Sequence, residues 1–264
     1  NDYVVIAIAG YYARRKAIIL ENMIAHGVDV CWGIHVYAGL ESGKICVSAG
    51  PRMAGAAGVG IKVIGRGGHG SRPDMSVNPV FCAASILTNT ATAWVNQITA
   101  GSTVTLGVTS IQGGEAPNVI PDTADILGSL RFFNDEEGEK AVRIFKNVAE
   151  HTAAMNNCQV QFDDRFCVLC APVINDEYYS NLISTALPEV LPENVTVSSC
   201  EPWYASESFS CYRRICPSVL AHLGINNPSY GSGAAHHNGF FDVDEGVLST
   251  GVISTLKFVA MLQK

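Results

Sequence analysis

Six side chains and three acidic groups carry most of the chemistry this sequence could perform. His35 stands in the apolar run Trp32-Gly33-Ile34-His35-Val36, where a neutral imidazole at a strand end could bind a metal or serve as a satisfied core residue. His236 and His237 lie in a Gly- and Ala-rich loop, Gly231 to Ala235, that runs on through Asp242 and Asp244 to Glu245. Such a loop can deliver ligands, or it is a polar turn in which Asp242 or Asp244 caps the helix that follows, and the two roles are compatible. His69 sits among glycines in Gly65-Arg66-Gly67-Gly68-His69-Gly70-Ser71-Arg72-Pro73, a turn from which an imidazole can reach a ligand. Asn118 and Arg131 offer an amide and a guanidinium suited to a carboxylate, unless they are a surface turn and a solvated cation. Two other patterns lead nowhere. Cys167-x-x-Cys170 has no second CxxC or His pair to complete a zinc site, and Gly65-x-Gly-x-x-Gly70 is followed by Arg72-Pro73 where a nucleotide fold needs a helix.

The elements that must position these groups are those of an α/β protein with an insertion. Residues 1–55 alternate strand, helix and strand: Val4 to Ala9, Lys16 to His26, and Val28 to Val36. Residues 56–167 read as strand (Val59 to Ile64), helix (Val77 to Ile98), two strands (Ser102 to Gln112, Ala124 to Phe133), helix (Asp135 to Asn156) and strand (Gln159 to Phe166). That order, β-α-β-β-α-β, is the ferredoxin-like split βαβ arrangement, which folds as a domain of its own. Residues 168–264 resume the first pattern with a helix from Asp176 to Leu187, a strand at Leu220 to Leu223 and a closing helix from Glu245 to Leu262. The expected organisation is therefore a split α/β domain, 1–55 and 168–264, interrupted by an inserted domain at 56–167.

Composition narrows the function classes. With 264 residues, 48% of them hydrophobic, the chain can bury a substantial core. Its net charge of -7 and scattered Lys and Arg leave no basic stripe for nucleic acid. No apolar run is long and uninterrupted enough to predict a membrane span. Nine cysteines at irregular spacing fit reduced thiols and a cytoplasmic setting. The opening Asn1-Asp2-Tyr3-Val4-Val5-Ile6 has no initiator Met and no basic leader, and reads as a strand at the start of a fragment or processed piece.

Five segments run in one order through the chain: Gly33-Ile34-His35-Val36, Gly67-Gly68-His69-Gly70 with Pro73, Pro117 to Pro121, Ser206-Glu207-Ser208-Phe209, and His237 to Glu245. In these the chain resembles the metallo-amidohydrolases of the aminoacylase, hippurate hydrolase and auxin-conjugate hydrolase type. The resemblance implies a catalytic α/β domain with two divalent ions (zinc, manganese or cobalt) and a ferredoxin-like lid that makes a homodimer. It implies that His35 and His237 are metal ligands, that His69 stabilises the oxyanion, often in the partner's site, and that Asn118 and Arg131 hold the substrate carboxylate. The substrate would be an N-acyl amino acid or a dipeptide, its amide cleaved by a metal-bound water. Two departures accompany the likeness. The family's Cys- or His-containing metal motif lies upstream of everything present here. Its adjacent glutamates, base and ligand, are matched by Ala9-Gly10-Tyr11-Tyr12-Ala13-Arg14-Arg15-Lys16, with Glu21 too far along the helix to replace them. Ser208 also stands where an acidic residue commonly follows the matched Glu207. These departures leave room for a catalytically silent relative that dimerises or binds acyl-amino-acid-like ligands, and for a dipeptidase or carboxypeptidase on the same scaffold.

Overall fold

The computed structural model describes residues 5–6, 13–163, 166 and 168–263. The expectation that no carboxylate stands at Ala9 to Tyr12, and the Cys167 half of the Cys pair, lie outside those residues. The elements in chain order are β1 (Val5–Ile6), α1 (Ala13–His26), β2 (Cys31–Glu41), β3 (Ile45–Cys46), β4 (Gly50–Met53), β5 (Gly55–Ile64), β6 (Gly68–His69), α2 (Pro79–Gln97), β7 (Val104–Gln112) and β8 (Val119–Ile120). They continue with β9 (Thr123–Phe132), α3 (Asp135–Met155), β10 (Gln159–Phe162), β11 (Val168–Cys170), β12 (Val173–Asn175), α4 (Glu177–Ala186), β13 (Thr196–Val197), β14 (Ser218–Asn226) and α5 (Leu248–Leu262). The chain divides into two compact units. One comprises Asn1–Met53, Val173–Trp203 and Glu207–Lys264, and the other Ala54–Pro172 with Tyr204–Ser206.

The first unit is a mixed α/β layer built on a sheet of order β1-β2-β14-β3-β13. Parallel pairing joins β1 to β2, β2 to β14 and β13 to β3, whereas β3 runs antiparallel to β14. Buried strands read as near-continuous apolar runs, which is why Ser218 to Ile225 are buried at every position. The core gathers Trp32, Ile45, Val219 and Ala221 from the strands with Ile183 and Leu187 from the α4 region and Phe258 from α5. Asp176 caps α4, its carboxylate accepting the Tyr179 N–H at 3.0 Å. The buried Asn175 amide ties two strands and a loop: its Nδ2 donates to the Ser48 and Leu220 carbonyls at 3.0 Å each, and its Oδ1 accepts from the Leu220 N–H at 2.8 Å.

The stretch Glu245–Leu262 is long and apolar enough to cross a membrane by length and composition, the one such stretch among the described residues. One side of it packs into the core. Phe258 is fully buried and stacks on Trp32 with ring centroids 4.6 Å apart, and Gly251 and Ser254 are buried too.

Where β2 ends, a Cβ at Gly224 would overlap the Glu41 carbonyl, and only glycine lets the two backbones approach so closely. Gly224→Ala is therefore expected to cost about 1–3 kcal/mol, as overpacking does. A lowered urea midpoint with an unchanged slope would register it.

In the second unit the sheet order is β10-β5-β9-β7, antiparallel throughout, with β11 also pairing β5. The ladder between β5 and β9 is ten residues long, from Gly55 opposite Phe132 to Ile64 opposite Thr123. Both helices begin at sequence signals. Asn78 caps α2 by accepting the Val80 N–H at 2.9 Å, with Pro79 at the first turn. Asn134 caps α3 through the Glu137 N–H at 3.0 Å, and Asp135, Glu136 and Glu137 complement the helix dipole. The apolar faces of α2 (Cys82, Ala83, Ile86) and α3 (Ala141, Phe145, Ala149) close over Val59, Ile61, Ile126 and Leu130.

Candidate active site

His35 lies on β2 directly opposite His222 of β14. Its Nδ1 is 2.7 Å from the Val36 carbonyl, and because a carbonyl only accepts, the proton resides on Nδ1 and Nε2 keeps its lone pair. That Nε2 faces Glu207 Oε2 at 3.9 Å, both side chains largely buried. The separation is too long for a hydrogen bond. It suits two ligands of one cation, since atoms each about 2.1 Å from a zinc ion stand at most about 4.2 Å apart. Glu207 is fixed by its own fold. It caps the 3-10 turn Ser208–Arg214, and its Oε1 accepts from the Ser208 hydroxyl at 2.9 Å and the Phe209 N–H at 3.4 Å, while its Oε2 is the oxygen that faces His35. A ligand imidazole whose other nitrogen donates to a carbonyl is the usual outer-shell arrangement of a metal-binding histidine.

Aromatic rings wall the pair. Trp203 stands 5.3 Å from His35, 5.2 Å from Tyr37 and 4.3 Å from His236 between ring centroids, and its backbone N–H donates to the Arg52 carbonyl at 2.8 Å. Of the two loop histidines it is His236 that approaches His35, at 5.6 Å between centroids. Its Nε2 is already an acceptor, taking the Ala38 N–H at 3.2 Å, and burial beside the imidazoles of His35 and His237 lowers its pKa to about 4. His237 is exposed on the loop, in the left-handed region at φ 63°. A non-glycine residue held there is an outlier of the kind that concentrates at functional sites. Asp244 performs the capping expected of it: it accepts from Ser42, Asn227 and the Gly246 N–H, and these donors, Asn227 first, hold its carboxyl below the usual range.

Among the described residues no group of three or more His, Cys, Asp or Glu side chains gathers around one point. His35 and Glu207 thus fit as two ligands of one divalent ion, and no third such side chain of the described residues gathers at the same point in this structure.

His222 sits behind His35, fully buried, with Nε2 unpartnered. Burial, reinforced by electrostatic repulsion from the neighbouring His35, Arg52 and His236 side chains as a proton is added, lowers its pKa to about 3. A histidine whose folded pKa lies below its unfolded value near 6.5 binds its proton only in the unfolded chain as pH falls from about 6.5 to 3. Stability is therefore full above pH 6.5 and declines through that window. Urea midpoints at pH 7, 6, 5 and 4 should fall progressively, and His222→Asn should flatten part of the slope.

In the second unit, β6 and β8 pair so that His69 opposes Val119 and the Gly70 N–H donates to the Asn118 carbonyl at 2.8 Å. The Ser71 N–H donates to His69 Nδ1 at 3.2 Å, which puts the ring's proton on Nε2, and the side chain is exposed. An outward N–H is what an oxyanion donor requires. A hollow of about 350 Å³, partly lined by Gly70, Val80, Phe81, Pro117 and Val119, adjoins this ladder. Arg131 is elsewhere. It lies on β9 opposite Ala56 and Thr105, eight residues beyond Thr123, or about 26 Å along the strand from the end where β6 and β8 meet. The structure thus brings His69 and Asn118 together at the β6-β8 ladder and leaves Arg131 toward the far end of β9, in the other sheet. The pairing of His35 with Glu207, 172 positions apart, was foreshadowed only by the Ser206 to Phe209 segment.

Comparison with known proteins places these features in a family. Residues 53–156 match the peptidase dimerisation domain of the M20 type. The chain is 28% identical over 240 residues to thermostable carboxypeptidase 2 of Saccharolobus solfataricus, covering 89% of this chain and 59% of that one. It is 29% identical to N-acetylcysteine deacetylase of Bacillus subtilis, over 88% of this chain and 58% of the other. A solved Bacillus subtilis structure, described as a dinuclear metal binding peptidase of the M20 family, superposes with TM-score 0.74 at 25% identity, covering 94% of this chain and 61% of its own. The chain spans about three fifths of the length of these relatives. It thus carries an M20 peptidase dimerisation domain and is a relative of the M20 amidohydrolases and peptidases.

Proposed function

We propose that the protein hydrolyses the amide bond of N-acyl amino acids, with His35 and Glu207 among the ligands of a divalent ion. The observation that carries this reading is the His35 tautomer: Nδ1 donates to Val36, so Nε2 is left to face Glu207 Oε2 at 3.9 Å. A divalent ion, when bound, acidifies a water and polarises the scissile carbonyl. The chain's own groups do the rest. Glu207 contributes negative charge from a fixed cap, Trp203 and Phe241 limit water around the imidazoles, and His237 is a further ligand on its loop. His69 donates its Nε2 proton to the developing oxyanion, while Asn118 and Arg131 hold the substrate carboxylate. In this reading residues 1–55 and 168–264 are catalytic and 56–167 form a ferredoxin-like lid, in keeping with the antiparallel order β10-β5-β9-β7 under two helices.

Separated by about 26 Å of β9, Asn118 and Arg131 can close on a single carboxylate only if they come from two chains. That supports a homodimer formed through the lid. Arg131→Met and Asn118→Ala, each alone, should raise KM by about 10- to 100-fold, the worth of a charge-assisted hydrogen bond. Mixing the two variants should restore part of the activity, because one site of the mixed dimer is intact. Failure to recover would mean that the two residues do not act across a dimer. A silent ligand-binding relative is the second reading, favoured by the absence of a three-ligand cluster among the described residues. Binding of N-acetyl amino acids without turnover, at any metal concentration, would select it. Dipeptides present the same amide beside a carboxylate, and the carboxypeptidase relatives make them the first alternative substrates to assay.

A further inference from the structure

The sequence holds nine cysteines, and in the first unit two of them form a built site that the proposed hydrolysis does not use. Cys46 ends β3 and pairs in register with His222 of β14. Cys200 arrives from the segment that leads to Trp203, and its sulfur is 3.6 Å from His222 Nδ1. Cys200 lies close enough to Cys46 for its thiol to act on the ionisation of the Cys46 sulfur. Cys46 Sγ is also 3.3 Å from the Ser48 hydroxyl, which accepts from Arg52 Nη1 at 2.6 Å and so can turn its own proton to the sulfur. Arg52 Nη1 reaches the Cys200 carbonyl at 3.0 Å and stands 4.0 Å from its sulfur. The guanidinium is 7% exposed, and no carboxylate of the described residues pairs with it. A buried cation without a carboxylate needs another anion, and a guanidinium beside two thiols repels a metal ion while favouring a thiolate.

We propose that Cys46 and Cys200 are a peroxide-sensitive modification site that closes reversibly into a disulfide. The Ser48 hydroxyl turns to Cys46, and the Arg52 charge acts on it from nearby. Cys200 S–H, Ser48 and Arg52 outweigh burial and lower its thiol to about 5, whereas Cys200, as the donor of the pair, is pushed up. Cys46 is thus the thiolate and Cys200 the resolving thiol, with His222 Nδ1–H donating to the Cys200 sulfur. In the first step the Cys46 thiolate attacks one oxygen of hydrogen peroxide, the O–O bond breaks, and hydroxide leaves a sulfenic acid on Cys46. In the second, the Cys200 sulfur attacks that sulfenic sulfur, the S–O bond breaks, and the departing hydroxide takes the Cys200 proton to leave as water. Two sulfurs are oxidised and one peroxide is reduced. Cys46 itself is fully buried, and Cys200 is half-buried, so the oxidant enters past Cys200.

The fold supplies its own controls. Cys31 with Cys216 and Cys82 with Cys158 are also neighbouring thiol pairs, all four buried. The experiment is a peroxide titration of the native chain, quenched by alkylation and followed by non-reducing peptide mass mapping. The expected result is a Cys46–Cys200 linked peptide that forms at least tenfold faster than either control pair and is reversed by dithiothreitol. Cys200→Ser should replace the link by a dimedone-reactive Cys46, and Ser48→Ala should slow the reaction with less risk to the fold than a change at Arg52. Equal or faster oxidation of a control pair, or no Cys46–Cys200 link at peroxide levels that oxidise free thiols, would overturn the proposal.

Discussion

Glu207→Gln is expected to lower kcat/KM for N-acyl amino acid hydrolysis by about three orders of magnitude, equivalent to about 4 kcal/mol of transition-state stabilisation at a metal site. The choice of Gln matters. Glu207 Oε1 caps the turn by accepting from Ser208 and Phe209, and a glutamine amide oxygen can keep both bonds. What it removes is the charge on Oε2 opposite His35. Loss of activity with an unchanged unfolding midpoint would therefore separate the ligand role from the capping role. His35→Ala should lose at least as much, since it removes the other ligand. If Glu207→Gln retained activity within tenfold, the carboxylate would be structural only.

Trp32→Ala is the change expected to cost most in stability, about 3–5 kcal/mol as for other buried aromatic truncations. Trp32 is fully buried on β2, stacked on Phe258 at 4.6 Å and 24° between planes, so its loss opens a cavity and also removes an aromatic pair. Its Nε1–H donates to Thr255 Oγ1 at 3.0 Å, but Thr255 also donates to the Gly251 carbonyl, so no hydroxyl proton is orphaned. Against a total stability of about 5–15 kcal/mol this is a large fraction. Trp32→Phe should keep the stack and cost clearly less. Because Trp32 belongs to one compact unit and Trp94 to the other, fluorescence of variants retaining only Trp94 would report whether the second unit unfolds at its own midpoint.

The legible parts of the fold are those where local signals agree with the tertiary structure. The caps at Asn78 and Asn134, the proline after the first and the acidic run after the second set α2 and α3 to within two residues of their expected starts. The third-block strand expected at Leu220 to Leu223 runs from Ser218 to Asn226, because parallel pairing with β2 extends it past its apolar centre. The helix expected from Glu245 instead begins as a 3-10 turn, Glu245–Val247, capped by Asp244, and becomes α-helical at Leu248. The site was less legible. Periodicity cannot say that Glu207 will face His35, nor that of two adjacent histidines His236 turns inward while a left-handed backbone at 237 turns the other out. The Cys46, Cys200 and Arg52 cluster left no mark in the sequence, since its members meet only through strand register.

Metal content tests the central claim most directly. The purified protein, dialysed against zinc, manganese or cobalt and then against buffer, should retain divalent metal in a fixed ratio to chain and hydrolyse N-acetyl amino acids in proportion to it. His35→Ala and Glu207→Gln should each lose that metal while keeping their fold. Metal retained in both variants, or turnover by metal-free protein, would contradict the assignment of His35 and Glu207 as ligands.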